Sequence, residues 1–291
     1  MTQPVTLLVN PVSAGGRPLE LVPKVVAELD RLGVEHQRVE TRSLEHAQEA
    51  AREAAAAGGT VAALGGDGMV RPVAAGVSDS DGRLAIIPAG RGNDFARVLG
   101  VPDDAAAAAR VAVQGTERLL DMGEVDGVPF IGIASLGFDS DANRIANEAK
   151  LVRGNLVYMY AAFRALMGWK HAGFTVTIDG ERHAFRGWTV GVANSKAYGG
   201  GMYAAPDAEL DDGKLDVVTC SEGSKLFFLK VMARIFKGTH VELPQISTYR
   251  GEEVTVESDR PFDIYADGDP IGRTPATIRV RPHCLRVMVP A

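Results

Sequence analysis

Three glycine-rich segments each follow a short apolar run: Asn10-Pro11-Val12-Ser13-Ala14-Gly15-Gly16, Gly65-Gly66-Asp67-Gly68 and Pro88-Ala89-Gly90-Arg91-Gly92-Asn93-Asp94. Glycine lets a backbone approach an anion closely, and free N–H groups at the start of a following helix stabilise phosphate. A single segment of this kind reads first as a tight strand-to-helix turn. Three of them in equivalent positions point to a phosphate site. Carboxylates that suit proton acceptance or a hard cation accompany them: Asp67 within the second segment, then Glu209-Leu210-Asp211-Asp212-Gly213-Lys214 and Asp267-Gly268-Asp269 far downstream. The last two segments also read as ordinary turns, since Asp-Gly suits a tight hairpin and Asp-Asp-Gly a loop.

Several other chemistries are excluded. No Gly-Lys-Ser/Thr completes a Walker loop, and no Gly-x-Gly-x-x-Gly follows a strand with an acid placed for a ribose. The histidines at 36, 46, 171, 183, 240 and 283 have no metal-type spacing, and Cys220 and Cys284 form no redox or zinc pattern. Ser135 does not sit in a Gly-x-Ser-x-Gly elbow.

The elements that position these residues divide the chain in two. Val5–Val9, Glu35–Glu40, Val61–Leu64 and Leu84–Ile87 read as short strands, alternating with helical stretches that include Pro18–Leu32 and one capped by Ser43. That alternation predicts an α/β unit with a mostly parallel sheet covered on both faces, whose ligands bind beyond the carboxyl ends of its strands. From Leu119 the pattern becomes antiparallel. Leu119–Val125 and Val128–Ser135 flank Asp126-Gly127, and Phe174–Ile178 and Glu181–Phe185 flank Asp179-Gly180. Further strands are expected at Trp188–Ala193, Leu215–Thr219, Gln245–Tyr249, Glu253–Glu257, Phe262–Tyr265, Thr277–Val280 and Leu285–Val289, with helices over Asp141–Trp169 and Ser224–Lys237. We expect an α/β domain over 1–123 and a β-rich sandwich over 124–291, with the extreme C-terminus able to pack back on the first domain.

The 291 residues suit about two domains, and 46% hydrophobic content supplies their cores. A net charge of -6 argues against a protein that coats nucleic acid. No signal peptide is read at the N-terminus, and Leu151–Trp169 is interrupted by Arg153, Asn155 and Arg164, so no transmembrane segment is expected. The expected location is cytoplasmic.

In order and spacing these motifs, together with Gly137-Phe138-Asp139, resemble the diacylglycerol kinase catalytic-domain family, over nearly the whole chain. The resemblance implies a lipid kinase: a nucleotide domain like that of phosphofructokinase or NAD kinase, a β-sandwich carrying the lipid site, and a cleft between them. It implies ATP and Mg²⁺ as cofactors. Asn10, Thr41, Gly65, Gly66, Asp67, Gly68, Gly90, Arg91, Gly92 and Asn93 would hold ATP, and Asp67 would act on magnesium or on the acceptor hydroxyl. Asp269 stands where the family has a glutamate credited as proton acceptor, with Asp267 beside it. Asp212, with the backbone carbonyls of Glu209 and Lys214, would form the family's structural magnesium loop. The acceptor expected is diacylglycerol, met at the inner face of a membrane by peripheral contact, and a homodimer is compatible with this reading.

Three departures keep alternatives open. Met69 and Arg91 replace hydroxyl or small residues, and Asp269 is one methylene shorter than glutamate. Phosphoryl transfer needs positioning, charge neutralisation and a carboxylate, so Arg91 can replace lost hydroxyl contacts by a charge-assisted one. An NAD kinase-like enzyme and a non-catalytic nucleotide- or lipid-binding regulator remain the other readings. Finally, Ser224–Lys237 sets Lys230, Arg234 and Lys237 opposite Phe228, Leu229, Met232, Ile235 and Phe236. The simplest expectation is an apolar face packed on the sandwich, with the basic face free to meet anionic headgroups.

Overall fold

A computed structural model describes residues 3–148 and 156–291. The first third is built as β1 (Val5–Val9), α1 (Arg17–Arg31), β2 (His36–Glu40), α2 (Leu44–Ala56), β3 (Thr60–Gly65), α3 (Asp67–Val77), β4 (Arg83–Pro88), α4 (Asp94–Val98) and α5 (Ala105–Gln114). β1 and β3 are buried along their whole length, as strands covered on both faces must be. The four strands pair in parallel in the order β4-β3-β1-β2, with Val9 opposite both Glu40 and Leu64, so their carboxyl ends line up along one rim. α2 begins where Ser43 Oγ accepts the His46 N–H at 3.1 Å, and it packs Ala47, Ala51 and Ala55 inward.

The antiparallel part follows as β5 (Thr116–Val125), β6 (Val128–Phe130), β7 (Ile133–Gly137), α6 (Phe138–Glu148), α7 (Leu156–Gly168), β8 (Ala172–Ile178), β9 (Glu181–Ala193), β10 (Leu215–Ser221), α8 (Lys225–Ile235), β11 (Ile246–Gly251), β12 (Glu253–Ser258), β13 (Asp263–Ala266), β14 (Asp269–Arg273) and β15 (Ala276–Val289). Asp126-Gly127, Asp179-Gly180 and Asp267-Gly268 all take left-handed φ at both residues and close tight hairpins.

Several expected elements differ in detail. Val128–Ser135 breaks at Ile131-Gly132, so β6 pairs with β5 while β7 pairs with β9 and β13. The expected strand at Trp188 is the far end of β9, because Glu181–Ala193 runs on past its hairpin partner to pair with β7 and β10. The expected helix over Asp141–Trp169 is two helices, α6 and α7, with residues 149–155, including Arg153 and Asn155, outside the described residues. Thr277–Val280 and Leu285–Val289 are the two ends of one strand, β15, whose pairing with β5 shifts register between Arg281 and Leu285. Among the described residues no helix is long and apolar enough to cross a membrane.

β5 and β15 join the two parts. The far end of β15 runs parallel to β4, with Val287 opposite Leu84, and Leu285, Val287, Met288 and Val289 are buried in the core of the α/β layer. The near end of β15 pairs with β12, and Ile278 lies in a second core with Phe138, Trp188 and Phe228. A continuous hydrogen-bonded ribbon therefore spans both cores and holds them in register.

Candidate active site

The rim formed by the parallel strands is where the glycine segments fall. Asn10 follows β1, and its Oδ1 accepts the Val12 N–H at 3.1 Å while its carbonyl accepts the Ser13 N–H and hydroxyl. This turn directs Ser13 and Gly15 toward a cavity of about 460 Å³. Gly66, Gly68, Met69, Gly90 and Arg91 form its other walls, and Leu44 and Asp269 complete it.

The second and third glycine segments touch backbone to backbone. A Cβ placed on Gly90 would lie 2.5 Å from the Gly66 Cα, and one placed on Gly66 would lie 3.0 Å from the Gly90 Cα. Neither position accepts a side chain without separating the loops. Asn93, in the left-handed region at φ 52°, accepts the Gly90 N–H at 2.9 Å and donates back to the Gly90 carbonyl at 3.2 Å. Its side chain thus closes the Gly90–Asn93 turn on itself. Met69 is buried under Gly65, where a Cβ would come within 2.7 Å of its own Cβ, so this departure from a hydroxyl also fills space beneath the loop. Arg91 is exposed at the cavity wall and, among the described residues, has no acid or hydrogen-bond partner.

Thr41 lies elsewhere. Its N–H and hydroxyl both donate to the Val9 carbonyl, at 2.8 and 3.3 Å, so it is buried at the end of β2 and Leu44 takes the place on the wall.

Three carboxylates meet at this end of the molecule. Asp67 opens α3, and its two oxygens accept the N–H groups of Asp94 and Phe95, both at 3.1 Å. It thereby caps α4 and fixes the third glycine segment against the second. Burial raises the pKa of Asp67, and the Asp94 charge adds to that, although the two N–H bonds oppose it. Asp267, in the β13–β14 turn, accepts the N–H groups of Ile131 and Gly132, both at 2.9 Å. Desolvation of the half-buried carboxyl pushes its pKa up to about 7, helped by the nearby charge of Asp67 and opposed by Arg71 and the two N–H donors. Those bonds hold the β6–β7 break in shape, so Asp267 is both turn residue and desolvated acid. Asp269, two residues on, reaches the cavity and is ion-paired with Arg71 at 2.8 Å.

The segment Glu209–Lys214 lies apart from this cavity. Asp121 anchors it: its N–H donates to the Leu210 carbonyl at 2.6 Å, and its Oδ2 accepts the Gly213 N–H at 2.7 Å. Asp212 accepts the Lys214 N–H at 3.0 Å and is ion-paired with Arg250. Asp216 has one buried oxygen without a donor, and its pKa rises to about 6 through burial and the charges of Asp207 and Glu209. Among the described residues no three His, Cys, Asp or Glu side chains converge as a metal cluster.

Three participants were not read as site residues from the sequence. Arg71 lies four positions after Asp67, and the helical signal of α3 would have put both on one face. Asp94 accepts the Gly200 N–H at 2.7 Å, tying the Tyr198–Met202 loop of the antiparallel part to the third glycine segment. Asp139 is half-buried, accepts from Thr189 and Tyr198 hydroxyls at 3.0 and 3.2 Å, and has its pKa raised by desolvation. These last two stand in the motifs that carry the resemblance, but no local signal names their partners, which lie 106 and about 50 to 60 residues away.

Comparison with known proteins places the chain in a family. Residues 4–125 match the family model of the diacylglycerol kinase catalytic domain, and residues 132–289 match the YegS C-terminal NAD kinase beta sandwich-like domain. A diacylglycerol kinase of Mycobacterium tuberculosis is 34% identical over 294 residues, covering 98% of this chain and 95% of that protein. A diacylglycerol kinase of Bacillus subtilis is 28% identical, covering 92% and 90%. A solved structure of a Bacillus anthracis diacylglycerol kinase superposes with a TM-score of 0.74 at 21% identity, covering 99% of this chain and 97% of that one, and so shares the fold. The chain belongs to the diacylglycerol kinase catalytic-domain family, and is a kinase.

Proposed function

We propose that the protein is an ATP-dependent lipid kinase that phosphorylates the hydroxyl of diacylglycerol. The observation that carries this reading is the cavity on which three glycine segments and Asp269 converge, with Asp67 and Asp267 packed against the glycine segments that line it. Gly66 and Gly90 pack backbone to backbone, which holds two of the glycine segments together at the cavity wall. Arg91, on the wall and without a partner among the described residues, supplies a guanidinium for the triphosphate.

In the transfer, the acceptor hydroxyl oxygen forms a bond to the γ-phosphorus, the bond to the β–γ bridging oxygen breaks, and ADP leaves. Asp269 takes the hydroxyl proton, and the Arg71 hydrogen bond aims that carboxylate across the cleft. Asp67 holds the two glycine segments together and carries charge close to the phosphates. Mg²⁺ neutralises phosphate charge in such a reaction.

The Glu209–Lys214 loop fits a structural magnesium ion. Its donors are hard oxygens, the Asp212 carboxylate with the carbonyls of Glu209 and Lys214. Asp216, whose buried oxygen has no donor among the described residues, adds a carboxylate beside the loop, and Arg250 is ion-paired with both Asp212 and Asp216.

The test combines purified protein, labelled ATP, Mg²⁺ and mixed micelles holding diacylglycerol or a sphingoid base, with NAD in parallel. Transfer to diacylglycerol, abolished by Asp67→Asn, is the expected result. Transfer to NAD, or nucleotide binding without transfer to any acceptor, overturns it.

A further inference from the structure

The helix α8 does not bury its apolar side as its periodicity suggests. Phe228, Val231 and Ile235 turn inward, where the Phe228 ring stacks on Trp188 at 4.2 Å and meets Phe138 edge-on at 4.5 Å. Leu226, Leu229 and Phe236 stay outside, 78%, 50% and 54% exposed. At 100° per residue Leu226 and Leu229 share the outer half of the helix with Lys225 and Lys230, and Phe236 and Lys237 follow, exposed, at its C-terminal end. The expected separation into a packed apolar face and a free basic face is therefore replaced by one outer face that is both apolar and basic.

The neighbouring helix extends that face. Lys225 Nζ donates to the Met167 carbonyl at 2.8 Å, joining the start of α8 to the end of α7. On α7, Phe163 and Met167 are 66% and 62% exposed, beside Arg164. Residues 156–169 and 223–241 contain no aspartate or glutamate, although the whole chain carries a net charge of -6. Large exposed side chains gathered in this way mark an interaction surface. Bulky apolar residues interleaved with lysines, on helices that carry no acid of their own and with Glu242 ion-paired to Arg234 at the edge, suit an interface with anionic headgroups above and acyl chains below.

The face also adjoins the candidate active site. The Ile235 carbonyl at the end of α8 accepts the Tyr203 N–H at 3.0 Å, and the Tyr198–Met202 loop just before it is tied through Gly200 to Asp94. Phe236 and Lys237 thus border the loop that closes on the third glycine segment.

We infer that the outer face of α7 and α8 is a membrane-docking surface, with Leu226, Leu229, Phe236, Phe163 and Met167 entering the headgroup–acyl boundary of an anionic bilayer and Lys225, Lys230 and Lys237 pairing with its phosphates. The inference rests on the lipid-kinase reading and specifies how that enzyme reaches its acceptor.

The test is co-sedimentation of the full chain with vesicles of phosphatidylcholine containing phosphatidylglycerol, and with vesicles of phosphatidylcholine alone. Binding to the anionic vesicles is expected. A Leu226→Ser, Leu229→Ser, Phe236→Ser variant should bind them about tenfold or more weakly, and a Lys225→Gln, Lys230→Gln, Lys237→Gln variant should lose the preference for anionic lipid. Both should keep the parent rate on a water-dispersed short-chain diacylglycerol, and the serine variant should also keep the parent thermal midpoint. Sedimentation unchanged in the serine variant overturns the inference. So does a dimer without lipid that this variant dissociates, since the face would then join two copies of the chain. Vesicle binding that behaves as expected without transfer to any lipid leaves the docking surface standing and removes the kinase reading instead.

Discussion

Arg71 and Asp269 meet across the cleft, with the guanidinium on α3 donating to the carboxylate at the start of β14 at 2.8 Å. Arg71 stands one helical turn beyond Asp67, so one helix carries both the acid that caps α4 and the cation that holds the acid from the other half of the chain. The Arg71 Nε is buried without an acceptor, which leaves Asp269 as its main anionic partner at hydrogen-bond distance. An aspartate at 269 is short, and the long arginine compensates by fixing its direction.

Replacing Asp269 by Asn should lower kcat by about 10²-fold or more, the usual contribution of a general base. Arg71→Gln should lower kcat by about tenfold through loss of that aim, with the KM for ATP little changed. Steady-state kinetics with ATP varied at saturating lipid separates the two terms. A rise in KM alone would place Arg71 with the nucleotide instead.

Gly90→Ala should loosen both glycine segments, because the new methyl meets the Gly66 Cα. Overpacking of this type costs about 1–3 kcal/mol. Scanning calorimetry should show a lower thermal midpoint, and isothermal titration should show ATP binding weakened or lost.

Asp67→Asn should act on structure as well as on transfer. The amide keeps one acceptor for the N–H groups of Asp94 and Phe95 but presents a donor where the second now bonds. A loss of about 1–2 kcal/mol is expected for such a cap, read by denaturant unfolding, together with loss of transfer in a single-turnover assay.

Asp267 makes stability depend on pH. Its carboxyl ionises near 3.8 when unfolded and near 7 when folded, so the folded state binds the proton more tightly. Its stabilising contribution is complete below pH about 4 and is lost as pH rises through about 7. In Asp267→Asn, melting curves between pH 5 and 8 should lose this downward component. An unchanged slope would assign it to another group.

Arg250→Gln should free Asp212 for a cation, because the guanidinium is its ion-pair partner. The Mg²⁺ concentration that half-saturates the thermal shift should fall in this variant, whereas Asp212→Asn should abolish the shift.

The parallel strands, the glycine segments at their carboxyl ends and the three Asp-Gly hairpins were all legible in the sequence. Each is a local pattern: apolar runs of strand length, glycine where φ must be positive or backbones must touch, and aspartate before glycine at a tight turn. The motif resemblance added the family and named most of the cavity wall, including Asn10, Gly66, Gly90, Arg91 and Asp269. Only the tertiary structure decided which side chains do something other than their motif suggested. Thr41 is bonded to its own sheet, Asn93 closes its own turn, and Asp267 holds the Ile131–Gly132 break. Likewise Arg71 meets Asp269 across 198 residues, and α8 leaves Leu226, Leu229 and Phe236 in the open. These outcomes depend on which distant segment occupies the neighbouring space. Periodicity and spacing record the conformation of a stretch of chain, whereas partners and exposure are set by the packing of whole elements against one another.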